Sequence, residues 1–450
     1  MRHAPIGLAV LAVAALAACS TPKPGPGPGL APVSSVSPTL APCPPGPPPD
    51  AKCYRGRDSA GAHYLIAMPA NWNNVLVVHA HGGPTLGEPK IERADEDMKR
   101  WAIHVKAGYA YAASVFRQGG VAVRSAGEDT ERVRQVFVQH IAKPRRTILH
   151  GQSWGANVAA KLAETHAAPG GKPTYDAVLL TSGVLGGGAA SYAFRLDLRV
   201  IYQYLCANHP TPDEPQYPMW MGLPQDSKLT RPELAARVQA CLGKAGSRTP
   251  GQARKVKTIV DVLKIPETSI GAHLNWATWH FQDIAFKRTG GRNPFGNEGV
   301  VYKGSDDDAA LNNGVVRYAA DPEAMRLLAA DTDLTGRIGV PVVALHAIGD
   351  PTAFIELQSA LKRSMEAGGS SQWLVQAYTD HREHSYLADP IYPAALAALL
   401  EWVDAGKKPS AAALAERCSA MEATYGPGCR FATAYQPAPL AARVAPRPGI

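Results

Sequence analysis

No stretch of this sequence is rich in lysine and arginine, and none interleaves basic with aromatic residues. A nucleic-acid partner is therefore not expected, and the formal net charge of +8 over 450 residues reads as a mild surface property. No CxxC pair and no cysteine–histidine cluster has zinc spacing, so no structural metal is implied and no cofactor is expected. The N-terminal apolar run, residues 6–18, is too short to span a bilayer comfortably. There is no internal repeat. Hydrophobic residues at 46% and charged residues at 19% are ordinary for a globular chain with a substantial core. The length fits one large domain with a sizeable insertion, or two domains.

What is present begins with a leader. Arg2 and His3 precede the run 6–18, which reads as a signal-peptide core over residues 1–18. It ends in Leu16-Ala17-Ala18-Cys19, which resembles the lipobox of bacterial lipoproteins, where the cysteine is lipidated and becomes the new N-terminus. The alternative is an ordinary small-residue cleavage site with an incidental cysteine. The resemblance implies export and anchoring to a bacterial membrane by acyl chains on Cys19. Ser20, where an Asp is absent, resembles the signal for the outer membrane. Twelve prolines among residues 20–50 predict an extended tether over 19–52, with the folded part beginning near Cys53.

Of the seven cysteines, six remain after Cys19. Export permits disulfides. Nearest-neighbour spacing favours Cys43–Cys53, Cys206–Cys241 and Cys418–Cys429, with buried free thiols as the alternative.

From residue 53 the chain alternates. Short apolar, β-rich runs at 63–68, 75–79, 109–114, 147–150, 177–181, 342–346 and 373–378 predict strands. Helical patterns lie between them at 92–106, 129–141, 156–166, 354–366 and 391–403. Such alternation predicts an α/β fold with a mainly parallel sheet flanked by helices. The rhythm breaks over 186–337, about 150 residues without a strand run, where aromatic residues concentrate. Patterns at 196–205 and 233–242 look helical, so this segment is expected to be a helical cap inserted between two strands. The core thus divides into 53–185 and 338–406. An Ala- and Pro-rich extension, 407–450, is expected to pack along the surface, pinned by Cys418 and Cys429.

Four positions carry chemistry. Gly151-Gln152-Ser153-Trp154-Gly155 follows a strand and precedes a helix, the setting in which a sharp turn exposes a nucleophilic serine. Upstream, the strand 75–79 runs into His81-Gly82-Gly83-Pro84. Pro84 has no N–H, so Gly82 or Gly83 is the expected oxyanion donor, together with the N–H of Trp154. His81 is expected to orient that loop and not to act as base. The acid should follow a later strand, and Asp350 after 342–346 is preferred over Asp380 and Asp176. The base should lie beyond the last strand, where His384 is preferred over His381. His384 comes 34 residues after Asp350, room for a helix and a strand. Asp306-Asp307-Asp308 reads as an acidic surface loop, with Ca²⁺ binding as the lesser reading. His273 and His280, seven apart on one helical face, read as packing or surface residues. The cap aromatics are equally compatible with a substrate pocket and with the cap's own core.

The order of oxyanion motif, elbow, acid and histidine resembles the α/β-hydrolase superfamily over residues 60–185 and 340–405. His-Gly-Gly-Pro with Gly-Gln-Ser-Trp-Gly is also similar to proline iminopeptidases and prolyl-oligopeptidase-like enzymes, although Thr85 stands where iminopeptidases usually carry a further Gly. Residues 144–147 through the elbow, with 175–178 and 183–186, are more similar to exported bacterial esterase-like hydrolases. The resemblance implies a serine hydrolase acting on a small ester, with a peptidase as the alternative. A silent lipoprotein that uses the fold for binding is the third reading.

Overall fold

The computed structural model describes Met1 and residues 37–166, 171–384 and 386–447. The leader, Cys19 and the first part of the tether lie outside these residues. Nine strands form one sheet: β1 (Thr39–Ala41), β2 (Lys52–Arg57), β3 (His63–Met68), β4 (Val75–Ala80), β5 (Ala110–Ser114), β6 (Arg146–Gln152), β7 (Ala177–Thr181), β8 (Val342–Ala347) and β9 (Leu374–Thr379). Their order is β1-β2-β3-β5-β4-β6-β7-β8-β9. β1, β2, β3 and β5 pair antiparallel in turn, and every pair from β5 through β9 is parallel. The parallel strands therefore end on one edge, where the loops that follow them gather.

Six helices belong to this core. On one face α1 (Glu92–Lys106) packs with the late helices α12 (Ile391–Ala405) and α13 (Ala411–Tyr425); on the other lie α2 (Val123–His140), α3 (Trp154–Thr165) and α11 (Leu357–Ala367). Strand residues alternate between the two layers, as a period of two requires. Val77, Ile148, Leu179 and Leu345 join Trp101 and Leu399 below, while Val78, Leu149, Leu180 and Ala344 join Phe137, Ala159 and Leu361 above.

Between β7 and β8 the chain leaves the sheet and forms a cap of helices: α4 (Gly188–Tyr192), α5 (Phe194–Cys206), α6 (Arg231–Leu242), α7 (Pro250–Leu263), α8 (Ile270–Asp283), α9 (Asp308–Gly314) and α10 (Pro322–Thr332). Its own core is built on Leu196, Ile201, Ile259, Leu274, Phe281 and Phe295. Local signals start these helices. Thr230 with Glu233, and Thr249 with Gln252, form capping boxes, each followed by a proline in the first turn. Asp307 caps α9 by accepting from the Ala310 N–H at 2.9 Å, so the acidic triplet is the start of a helix. The Cys206–Cys241 disulfide joins α5 to α6.

The sequence expectations need correcting at the N-terminal edge. The chain pairs well before Cys53: Thr39, Leu40 and Ala41 align with Arg55, Tyr54 and Cys53. Pro38 and Pro42 bracket these three positions, so the missing N–H groups fall outside the ladder. The Cys43–Cys53 disulfide closes the intervening loop. The second half of the expected tether is thus part of the sheet edge. The third disulfide, Cys418–Cys429, holds the segment after α13, which is a 15-residue helix and more ordered than an Ala- and Pro-rich extension suggested.

Candidate active site

β6 is buried from Thr147 to its end and runs into the turn that holds Ser153. Ser153 stands at φ 56°, ψ −122°, a conformation that non-glycine residues adopt only when their surroundings force it. The flanking glycines show what forces it. A Cβ on Gly151 would lie 2.3 Å from the Gly155 carbonyl oxygen, and one on Gly155 would lie 2.1 Å from that of Ala80. The turn is therefore wedged against β4. Ser153 is pinned through its own backbone as well: its N–H donates to Thr181 at 2.9 Å and its carbonyl accepts from Val184 at 3.0 Å.

The loops after β8 and β9 bring two more groups to this turn. Ser153 Oγ lies 2.8 Å from His384 Nε2, and His384 Nδ1 lies 2.7 Å from Asp350 Oδ2. A carboxylate only accepts, so Nδ1–H donates to Asp350 and Nε2 is left to accept from the serine hydroxyl. Asp350 is fixed in turn by the N–H groups of Thr352 and Ala353, at 2.8 and 2.9 Å. Burial alone would raise its carboxyl, but hydrogen bonds from His346 and His384 hold it well below the usual carboxylate range.

The loop after β4 closes the remaining side. Gly82 packs on Gln152 so tightly that a Cβ would meet the Gln152 side-chain oxygen at 2.2 Å. Gly83 has φ +75°, open to glycine without strain. The Gly82 carbonyl accepts from Arg93 at 2.7 Å and from His81 Nδ1 at 3.0 Å. His81 is thus a loop-holding residue, stacked on Phe116 at 4.2 Å, and burial pushes its ring down to about 4. The N–H groups of Gly83 and Trp154 border the cavity above Ser153 and donate to no other group among the described residues.

Strand order, elbow, and the chain order of serine, aspartate and histidine now stand together. The chain has the α/β-hydrolase fold. No family model matches its sequence, and no curated protein does. Among solved structures it is similar to feruloyl esterase B from Aspergillus oryzae, at 13% identity over 84% of this chain and 88% of that one, with a TM-score of 0.41. It is also similar to the rice cell wall degrading esterase LipA from Xanthomonas oryzae, at 15% identity over 74% and 83%, TM-score 0.36. A puromycin hydrolase is 14% identical over 82% of this chain and 39% of its own, TM-score 0.37. At such values these likenesses say nothing about substrate.

The alternative site residues lie elsewhere on the hydrolase sheet. His381 is buried, and its carbonyl accepts from Gly349 at 3.0 Å, so it braces the acid loop without reaching Ser153. Asp176 accepts from Arg146 and the Thr147 N–H at the opposite end of the strands. Asp380 is exposed and joins β9 to the C-terminal segment through its N–H.

Ser153, Trp154, Gly83 and His384 open into a cavity of about 540 Å³ roofed by the cap. Tyr192, Arg195, Arg231, Trp276 and His280 supply that roof. The cap aromatics therefore divide: Tyr192 and Trp276 line the cavity, while Tyr202 and Phe281 fill the cap's core. The two α8 histidines hold the site's loops. His280 Nε2 donates to the Pro84 carbonyl at 3.0 Å, and His273 Nε2 donates to that of Pro351 at 3.1 Å. Burial pushes their rings down to about 4 and about 3, so both stay neutral at ordinary pH. Their seven-residue spacing hinted at a shared face, but nothing in the sequence pointed to those carbonyls. Arg195 and Arg231 carried no sequence signal at all.

Proposed function

We propose that the protein is a serine hydrolase that cleaves carboxylic esters through an acyl-enzyme. Ser153 attacks the ester carbonyl while His384 takes its proton through Nε2. Asp350 keeps the imidazole in the required tautomer and stabilises the imidazolium. The N–H groups of Gly83 and Trp154 receive the developing oxyanion, with Gly82 allowing the loop to approach. His384 then returns the proton to the leaving alcohol and activates the water that hydrolyses the acyl-enzyme. The reading is carried by one observation: the unbroken relay from Ser153 Oγ to His384 Nε2 at 2.8 Å and from His384 Nδ1 to Asp350 at 2.7 Å.

A fluorophosphonate probe tests it. Wild type should label and Ser153→Ala should not; an unlabelled wild type, or equal labelling of the variant, sinks the assignment and leaves the silent-binder reading. One feature favours a peptidase instead. Glu96 of α1 is exposed and lines the cavity, where it could pair with a free amine. The cap itself presents no carboxylate there, and Asp97 is tied to Arg93 at 3.0 Å. Parallel assay of p-nitrophenyl acyl esters and aminoacyl-naphthylamides separates ester from peptide chemistry.

The same proposal includes export and a lipid anchor on Cys19, in a bacterial membrane with the domain on the periplasmic side. Three disulfides in one domain support an oxidising compartment. Cys19→Ser should release the protein from the membrane fraction; unchanged membrane retention argues against the anchor.

A further inference from the structure

Four arginines are buried among the described residues: Arg132, Arg195, Arg199 and Arg447. Three are held by several oxygens each, Arg199 leaving only its Nε without a partner. Arg132 pairs with Asp58 at 2.7 Å and with Asp129. Arg447 pairs with Asp197 and donates to Gly296 at 3.1 Å. Arg199 donates to the oxygens of Gly222, Thr278 and His209, at 3.2, 3.1 and 3.3 Å.

Arg195 is the exception. It is 5% exposed, and its one hydrogen bond runs from Nη1 to the Ser191 carbonyl at 3.1 Å. Nε is buried without a partner, and no carboxylate among the described residues pairs with the guanidinium. Two aromatic rings pack against the side chain. Its guanidinium carbon sits 4.4 Å from the centre of the Trp276 ring and 4.5 Å from that of Phe194. A buried guanidinium with four unused donors is costly unless an anion completes it. Burial pushes its proton affinity down to about 9, so it remains charged at neutral pH. It also lines the Ser153 cavity.

Resting on the ester-hydrolase reading, we infer that the substrate carries a carboxylate, and that Arg195 binds it. The planar fork of an arginine suits a carboxylate, and Arg231 of the cap and Arg100 of α1 add positive charge on the same cavity, where Glu96 is the carboxylate not tied to Arg93. On the same cavity Trp276 forms an aromatic shelf, stacked on His280 at 4.8 Å and packed on Tyr192 at 4.5 Å. An apolar or aromatic spacer between ester and carboxylate would lie against it. The substrate class is thus the monoester of a dicarboxylic acid, or an ester of a carboxylated alcohol or phenol.

Matched pairs test this on the full-length protein. Mono-4-nitrophenyl adipate is compared with 4-nitrophenyl hexanoate, and 4-acetoxybenzoate with 4-methylphenyl acetate. Wild type should prefer the charged member of at least one pair by roughly 10- to 100-fold in kcat/KM, mostly through KM. In Arg195→Gln that ratio should fall to about one, and Arg195→Lys should restore part of it. A general loss of activity cancels in the ratio. A wild-type ratio at or below one in both pairs, or a ratio that survives Arg195→Gln, overturns the inference. Binding of benzoate against benzamide to Ser153→Ala, followed by tryptophan fluorescence, reads the site without turnover. If no ester is cleaved, the hydrolase reading fails, and this binding still decides Arg195: saturable benzoate binding that is absent in Ser153→Ala/Arg195→Gln supports it, and no binding refutes it.

Discussion

His280 reaches from the cap to the Pro84 carbonyl across 3.0 Å, so a helix outside the sheet fixes the loop that carries Gly83. Because the ring stays neutral down to about pH 4, this contact persists through the whole range in which the enzyme would work. His280→Ala should loosen the donor loop and lower kcat/KM by about tenfold, with the loss in kcat. His280→Gln, whose amide still donates, should recover part of it. Equal loss in both variants, measured on a p-nitrophenyl ester, would argue against a positioning role.

Asp350→Asn keeps the shape of the acid loop but replaces an acceptor with an amide. The imidazole then loses its tautomer preference, and kcat should fall by roughly 10³- to 10⁴-fold. Fluorophosphonate labelling should slow in parallel. A variant within tenfold of wild type would mean that another carboxylate orients His384.

The tightness of the elbow is testable through its glycines. A methyl group on Gly155 would collide with the Ala80 backbone, which β4 and β6 hold rigidly. Gly155→Ala should cost about 1–3 kcal/mol or more and depress the melting temperature. Gly339→Ala, where nothing among the described residues lies within 4 Å and the backbone is not left-handed, is the control for the added methyl.

Acid should destabilise the fold earlier than a carboxylate-driven transition would. His79, His104 and His150 form a fully buried cluster under the elbow, with His150 Nδ1 3.0 Å from His79 and 3.1 Å from His104. Burial pushes His104 down to about 3 and the other two well below their ordinary value of 6.5. The unfolded chain therefore takes up protons near pH 6.5 that the folded chain refuses. Stability from this cluster is complete above that value and drains away below it, by roughly 3–4 kcal/mol between pH 6 and 5. The Asp350 contribution has the same sign but is lost only below about pH 4. Urea midpoints from pH 8 to 4 would show the slope, and a flat profile above pH 5 would refute it.

The Cys206–Cys241 crosslink closes a loop of sequence separation 35, against 10 for Cys43–Cys53. Chain entropy assigns about 4 kcal/mol to the first and about 3 to the second. Paired serine substitutions should lower the melting temperature in that order, with Cys206→Ser/Cys241→Ser also raising KM by loosening the cap.

Legibility in the sequence followed burial. β4, β7 and β8 are covered on both faces and open with apolar runs of at least four residues, so their ends were visible to within a residue or so. β2 sits near the sheet edge as Lys-Cys-Tyr-Arg-Gly-Arg, half polar, and β1 is three residues between prolines. Neither offers a period to detect. α2 begins at Val123, six residues before the pattern became readable, because its first turns are built from Ala126, Gly127 and their polar neighbours. Ser153, Asp350 and His384 each follow a strand, and the parallel sheet alone is enough to bring them to one edge. Arg195 is different in kind. What singles it out is the partner it lacks, and a missing partner leaves no mark in a sequence.

The cap begins with α4 and ends with α10, and these two ends meet, the Gly188 N–H donating to Thr332 Oγ1 at 2.8 Å. Entry and exit of the cap therefore lie side by side. A module grafted at such a closely spaced pair of ends can be exchanged as a block while the sheet beneath keeps its register. Two carbonyls set the terms of any exchange. Whatever replaces this cap must offer donors to Pro84 and Pro351, as His280 and His273 do now, or the chemistry below it will lose its alignment.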